Sequence, residues 1–273
     1  MSEPAKAPPP AVPATTILLV RPSRRHDPTS PPEVFMVERH HKIDAFSGAL
    51  VFPGGKVETA DGDARLKPRV DGGDSLPDVE RTFRVAGVRE AFEECGVLLA
   101  RRSGSHALIS AAELKPIEQR WRQKLTDDEA SILDMVEAED LVLVLDRMVP
   151  FAHWVTPIFA PRRFDTWFFI AEAPEDQLAV HDGSESVESV WIDPKQAVAE
   201  ADAGKRTLVF ATRQNLLMLA ESGSMRAAIE ASSKRKIVSC QPKVIERDGL
   251  KWMVIPPEAG YAVSEIRFNR PAA

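Results

Sequence analysis

Nine residues, Arg89-Glu90-Ala91-Phe92-Glu93-Glu94-Cys95-Gly96-Val97, constrain this chain more than any other stretch, because they set three carboxylates within one turn of a helix. At about 100° per residue, Glu90, Glu93 and Glu94 fall at relative angles of about 0°, 300° and 40°, a single arc. Val88, Ala91, Phe92, Cys95, Leu98 and Leu99 collect between about 80° and 200° on the same wheel. The spacing therefore predicts a helix that buries its apolar side and turns its acids outward. Like charges at i,i+3 and i,i+4 repel by a few tenths of a kcal/mol per pair, so the cluster is unfavourable without a counter-charge. Two readings follow: a solvated acidic face, or a seat for a hard divalent cation, which carboxylate oxygens prefer. Arg89, about 40° round from Glu93, is placed to pair with a carboxylate and fix its rotamer.

Upstream, Gly48-Ala49-Leu50-Val51-Phe52-Pro53-Gly54-Gly55-Lys56-Val57-Glu58 reads as a short apolar strand entering a Pro-Gly-Gly turn. Paired glycines let backbone N–H groups approach a ligand closely. A Pro-Gly-Gly turn is common by itself. Followed by Arg-Glu-x-x-Glu-Glu-x-Gly, it resembles the Nudix box, G-x5-E-x7-R-E-U-x-E-E-x-G-U with U apolar. Gly55 takes the first glycine, Asp61 stands where the first glutamate belongs, and Arg89 to Val97 supply the second half. Asp61 is a shorter carboxylate than the pattern has. Between it and Arg89 lie 27 residues where the pattern has seven, an insertion of 20. An interrupted box resembles one branch of the superfamily, the (acyl-)coenzyme A diphosphatases and their bacterial relatives. That likeness extends to His153-Trp154-Val155-Thr156-Pro157 and Arg162-Arg163-Phe164-Asp165-Thr166.

The resemblance implies an α+β fold, an α/β/α sandwich with a mixed central sheet, a catalytic strand-loop-helix and a helical elaboration. It implies hydrolysis of a diphosphate bond with Mg²⁺, or Mn²⁺ as the alternative, held by Glu90, Glu93 and Glu94. Glu90 and Arg89 are carried over as catalytic residues. The general base varies among Nudix enzymes, which leaves Glu90 and Glu185, in the Asp182-Gly183-Ser184-Glu185 loop, as candidates. Gly54, Gly55, Arg39, Arg162 and Arg163 are the candidate substrate contacts. One of the two adjacent arginines has a structural alternative, an ion pair with Asp165. Coenzyme A or an acyl-coenzyme A is the implied substrate, ADP-ribose or another nucleoside diphosphate derivative the runner-up, and a catalytically silent nucleotide-binding module the reading from a different class.

With 273 residues and 44% apolar content, the chain can bury a substantial core. Its net charge of −6 argues against a general nucleic-acid binder. The two cysteines, Cys95 and Cys240, have neither metal-ligand spacing nor the pattern of a disulfide framework, and read as buried small hydrophobes. No stretch carries the roughly 20 apolar residues of a membrane-spanning helix. Met1 to Pro13 lacks the apolar run of a secretory signal, and Pro271-Ala272-Ala273 is not the Ser-Lys-Leu address. The expectation is a cytoplasmic enzyme acting on a small nucleotide, with oligomeric state open.

Residues 1–14 are expected to form a disordered Pro/Ala-rich tail, 15–260 one domain, and 261–273 a second tail, with a box insertion at 62–81, a helical elaboration at 110–139 and a hairpin at 236–255. Strands are predicted at Thr15–Val20 and Val34–Glu38, side by side, at Pro150–Pro157 and Phe164–Ala171 as an antiparallel pair, and at Ser186–Ile192. Arg39-His40-His41-Lys42 reads as a basic surface run that can meet phosphates. Asp61 to Asp74 reads as an exposed loop, and one helix as running from about Leu76, capped by Ser75, to Ala100. Further helices are predicted at Ser110–Leu125, Thr126–Glu139, Pro194–Ala203 and Thr207–Ser222. The elaboration is expected to cover the substrate cleft, with Trp121 as packing. Asp248-Gly249 predicts a tight turn in the last hairpin.

Overall fold

The computed structural model describes residues 8–23, 30–39, 48–177 and 186–268. In chain order the elements are β1 (Val12–Arg21), β2 (Glu33–Arg39), β3 (Leu50–Val51), β4 (Gly54–Lys56), β5 (Val70–Asp71), α1 (Asp78–Cys95), β6 (Ala100–Arg102), α2 (Ala111–Thr126), α3 (Ile132–Ala138), β7 (Leu141–Val144), β8 (Val149–Val155), β9 (Phe164–Glu172), β10 (Ser186–Ile192), α4 (Pro194–Asp202), α5 (Phe210–Ala220), α6 (Met225–Lys234), β11 (Ser239–Cys240), β12 (Lys243–Arg247), β13 (Leu250–Val254) and β14 (Glu265–Arg267). The main sheet is mixed, in the order β10-β2-β1-β9-β8-β11. β1 is antiparallel to β2 and parallel to β9, and β8 and β9 form the expected antiparallel pair.

Successive residues of β1 enter different cores, which is why it reads as an unbroken apolar run rather than an alternating one. Ile17 and Leu19 join Phe35, Val37, Phe169 and the apolar side of α1. Leu18 and Val20 join Val34, Met36, Ile170 and residues of α4, α5 and α6 on the opposite face. Three layers result, helix, sheet and helix, as the resemblance implied.

The sheet splits where the site forms. Near its end β1 pairs with β2 through Val20 and Arg21, but earlier its Ala14, Thr15 and Thr16 pair with Lys56, Gly55 and Gly54 of β4. β3 meanwhile pairs with β2, Leu50 opposite Glu38 and Val51 opposite Val37. Residues 50–56 thus fill a wedge between β1 and β2, and the Ile17 N–H closes it on the Pro53 carbonyl at 2.9 Å.

Several expectations need correction. Residues 61–74 are not an exposed loop: two 3-10 turns, Thr59–Gly62 and Ala64–Arg69, lead into β5, and Leu66 and Val70 anchor them in the core. Ser75 does not cap α1, whose N-cap is Pro77. The helix stops at Cys95 rather than Ala100 because Gly96 turns left-handed at φ 65° and folds its N–H back onto the last turn. Leu98 and Leu99 still reach the core, but from the approach to β6. A small sheet, β5-β7-β6, was not foreseen. α2 opens on a capping box, Ser110 with Glu113, at the start expected for that helix. α3 starts at Ile132, not Thr126, because a second capping box, Ser131 with Asp134, defines its start and Asp128 turns left-handed before it. Trp121 packs on the core and donates its indole N–H to Glu139, a packing role as expected.

α6 was missed, and the C-terminal segment divides. Ser239–Cys240 pairs with β8, while the hairpin is β12–β13, its Asp248-Gly249 turn left-handed at φ 55° and 71°. β14 adds a third strand, and Tyr261 is buried, bonding Trp154 and Asn215, so 261–268 is structured rather than tail. At the other end β1 begins at Val12, inside the segment expected to be tail. Both cysteines are free and buried.

Candidate active site

The acids of α1 do not face water. Val85, Val88, Ala91, Phe92 and Cys95 are fully buried on one side, yet Glu90 and Glu94 on the other are only 7% and 8% exposed. The wedge in the sheet explains this: it lays Gly54 and Gly55 directly against the acidic face. The Gly54 N–H donates to Glu94 Oε2 at 2.9 Å. A Cβ on Gly55 would stand 2.4 Å from Glu90 Oε1, so only glycine lets the strand approach this closely. The wheel identified the face correctly, but the backbone that covers it comes from a segment the wheel does not contain.

Arg89 is the cation of the cluster. Its guanidinium bonds Asp61 twice, at 2.9 and 3.1 Å, Glu90 at 3.0 Å, Glu93 at 3.2 Å and the Lys56 carbonyl at 2.8 Å, with Glu58 at 3.4 Å. Burial by itself would lower the Arg89 pKa, but the hydrogen bonds to Asp61 and the charges of Glu90, Asp61 and Glu93 carry it above its ordinary value. Asp61 is 2% exposed. The shorter carboxylate at this box position therefore keeps a role, holding Arg89, and the 20-residue insertion leaves that pair intact. Glu58 was overlooked at the sequence level. It forms a reciprocal cap with Asp61 and lies against Arg89, and the Glu-x-x-Asp spacing was the signal that could have found it.

Burial pushes the Glu93 carboxyl up to about 7 against the pull of Arg89. Burial raises Glu90 well above the usual carboxylate range, Arg89 opposing and Glu94 and Glu93 adding to it. Glu58 is raised by the same cause. One guanidinium thus faces Glu58, Asp61, Glu90 and Glu93, with Glu94 beside them, an excess of buried anionic oxygen that suits a hard divalent cation. Glu90, Glu93 and Glu94 are the candidates to hold it. Among the described residues no three acids stand together in a ready cage. Arg89 draws Glu90 and Glu93 to itself, and the Gly54 N–H holds Glu94.

Arg162 and Arg163 lie in the β8–β9 connection, apart from this cluster. Arg163 donates to the Thr156 and Pro9 carbonyls, pinning the β8–β9 connection to the start of β1, while Asp165 pairs with His153. Arg162 is exposed in that connection. Arg39 closes β2 opposite Ser186, but its side chain lies outside the described residues, as do His40, His41, Lys42 and Glu185. From the helical elaboration, Arg122 of α2 donates to the Glu93 carbonyl at 2.8 Å, binding α2 to the end of α1 that carries the acids.

The family model of the NUDT19 Nudix domain matches residues 63–211, just over half of the chain. This chain belongs to the Nudix hydrolases. The family typically uses a divalent metal. The chain is 25% identical to the acyl-coenzyme A diphosphatase NUDT19 of Gallus gallus over 252 residues, covering 77% of this chain and 66% of that protein. Against the human acyl-coenzyme A diphosphatase NUDT19 the identity is 29%, over 65% of this chain and 59% of that one. The putative nudix hydrolase 7 of Caenorhabditis elegans is 29% identical over 71% of this chain and 55% of that protein. The chain thus spans between about half and two thirds of the length of these relatives. A NUDIX hydrolase structure from Alicyclobacillus acidocaldarius superposes with a TM-score of 0.66 at 21% identity, covering 83% of this chain and 99% of that one, and it shows the fold. No helix among the described residues is long and apolar enough to cross a membrane.

Proposed function

We propose that this Nudix hydrolase cleaves the diphosphate of coenzyme A or an acyl-coenzyme A, releasing 3′,5′-adenosine bisphosphate and a phosphopantetheine product. The observation that carries the chemistry is the packing of buried Glu90 and Glu94 onto the Gly54-Gly55 backbone, beside a single guanidinium. The relatives' names and the interrupted box support the choice of substrate.

Hydrolysis forms one P–O bond to water and breaks one P–O bond of the diphosphate, with the water proton passing to a base. A divalent cation, when bound, neutralises phosphate oxygens and lowers the pKa of water. Glu90, Glu93 and Glu94 would hold it. Glu90 is also a candidate base, since burial already gives its carboxyl a higher proton affinity than a solvated glutamate has. Glu185 is the alternative base. Arg89 holds the carboxylates in one place and is itself held by Asp61.

The test is mass-spectrometric product analysis with Mg²⁺ on coenzyme A, an acyl-coenzyme A and ADP-ribose, beside Glu90→Gln, Glu94→Gln and Glu185→Gln. Release of 3′,5′-adenosine bisphosphate by the wild type supports the reading. Preference for ADP-ribose replaces coenzyme A by the second substrate. Full turnover by Glu94→Gln sinks the metal role of that residue.

A further inference from the structure

Far from the acids in the chain, β12, β13 and β14 form a sheet of their own. Among the described residues these strands pair only with one another, and none of their side chains is buried. Seven of their thirteen residues are nonetheless apolar, with Ile245 and Leu250 40% and 37% exposed. A sheet of that composition needs a second surface to cover it or to continue it. Phe159, in the β8–β9 connection, meets Phe268 at 5.5 Å between ring centroids and ties the end of β14 to the body of the protein.

Register sorts the side chains of this sheet. Val244 stands opposite Met253 and Met253 opposite Ile266, an apolar row on one face. Ile245, Trp252 and Arg267 form the neighbouring row on the other face, which also carries Glu265. The phase of the β13–β14 ladder shows which backbone groups are left over. Ile255 donates to the Ser264 carbonyl at 2.9 Å, and Phe268 to the Lys251 carbonyl at 2.8 Å. In an antiparallel ladder the N–H and C=O of one residue point the same way, and the direction alternates along the strand. Ser264, Ile266 and Phe268 therefore face β13, while Glu265 and Arg267 turn their N–H and C=O groups outward. Both residues are exposed, and no strand lies on that side of β14 among the described residues.

We infer that this edge pairs antiparallel with the same edge of a second copy of the chain, across a two-fold axis at Ile266. That axis sets Glu265 opposite the partner's Arg267, so the outward N–H and C=O groups of both residues find acceptors and donors, and both charges meet their opposite. Axes at Glu265 or at Arg267 instead set like charges face to face. The apolar row then runs unbroken from Val244 through Met253 and Ile266 to the partner's Ile266, and two three-stranded sheets become one. Arg247 holds Glu265 through Oε2 at 2.6 Å, which leaves Oε1 for the partner's Arg267. The opposite edge does not match itself: a two-fold at Ile245 of β12 sets Lys243 against the partner's Arg247.

Sedimentation equilibrium of the full chain from about 1 to about 500 µM tests the pairing. The wild type is expected to dimerise within that range. Arg267→Glu and Glu265→Lys each set like charges opposite across the axis, and each should weaken association roughly 10- to 100-fold. Mixed in equal amounts, the two variants should associate as the wild type does, because one edge is then acidic and the other basic. Arg267→Pro removes an outward N–H and no bond to β13, so it should dissociate the dimer without touching the charge on Glu265. Circular dichroism matching the wild type establishes that each variant is folded. A wild type that stays monomeric at the highest concentration, a dimer unmoved by the substitutions, or a mixture no more associated than its components overturns the edge pairing.

Discussion

Removing either partner of the Arg89–Asp61 pair should cost unequal amounts, and the inequality follows from who is left alone. Asp61 is 2% exposed, and two of its bonds, at 2.9 and 3.1 Å, come from Arg89. Arg89→Gln strands that carboxylate in the core, and breaking a buried pair in this way costs about 3–5 kcal/mol. Asp61→Asn leaves Arg89 with Glu90, Glu93 and the Lys56 carbonyl, so its cost should be nearer 2 kcal/mol, roughly one charge-assisted hydrogen bond. The double variant should be more stable than the sum predicts, by about 1.5–3 kcal/mol, since neither charge is then stranded. For a chain of this length the larger single loss corresponds to a fall in Tm of about 6–20 °C. Urea unfolding of the four proteins, followed by circular dichroism and fluorescence together, measures the cycle. Additivity within about 0.5 kcal/mol, or equal single losses, would refute the view that Asp61 is the buried anchor of Arg89.

Other outcomes follow from the same geometry. Asp61→Glu matches the box pattern yet should destabilise by about 1–3 kcal/mol, because the extra methylene has no space beside Arg89; denaturant midpoints decide. Gly55→Ala forces Glu90 off its position and should lower kcat/KM on the order of 100-fold with a smaller stability loss. Glu94→Gln keeps an oxygen for the Gly54 N–H, so stability should hold within about 1 kcal/mol while activity falls on the order of 100-fold; chelation should abolish wild-type activity and Mg²⁺ restore it. Burial pushes the Cys240 thiol up to about 11, so disulfide reagents at pH 8 should label neither cysteine before denaturant is added. The folded thiol holds its proton more tightly than the unfolded one, so this group's contribution to stability is complete below pH 9 and declines as pH rises from 9 towards 11.

Local pattern determined much of this protein. The 3.6-residue period identified the acidic side of α1, Asp248-Gly249 gave its turn, and the apolar runs gave β1, β2, β8 and β9. Short elements held by distant contacts left little trace: β5, β6 and β7 are two to four residues each, and the segment over 59–71 is fixed by Leu66 and Val70 reaching a core made elsewhere. The glutamates were legible as a cluster, but their burial was not, because the Gly54-Gly55 backbone that covers them comes from a wedge between two strands. The role of Asp61 is likewise a property of space: 27 residues separate it from Arg89 along the chain, and less than 3 Å separates their nearest atoms in the fold. The apolar row of Val244, Met253 and Ile266 needs the register of three strands. Sequence specifies which side chains are available and their local period, while strand register and burial arise only when distant segments share one sheet, and these decide which groups meet and how strongly they hold their protons.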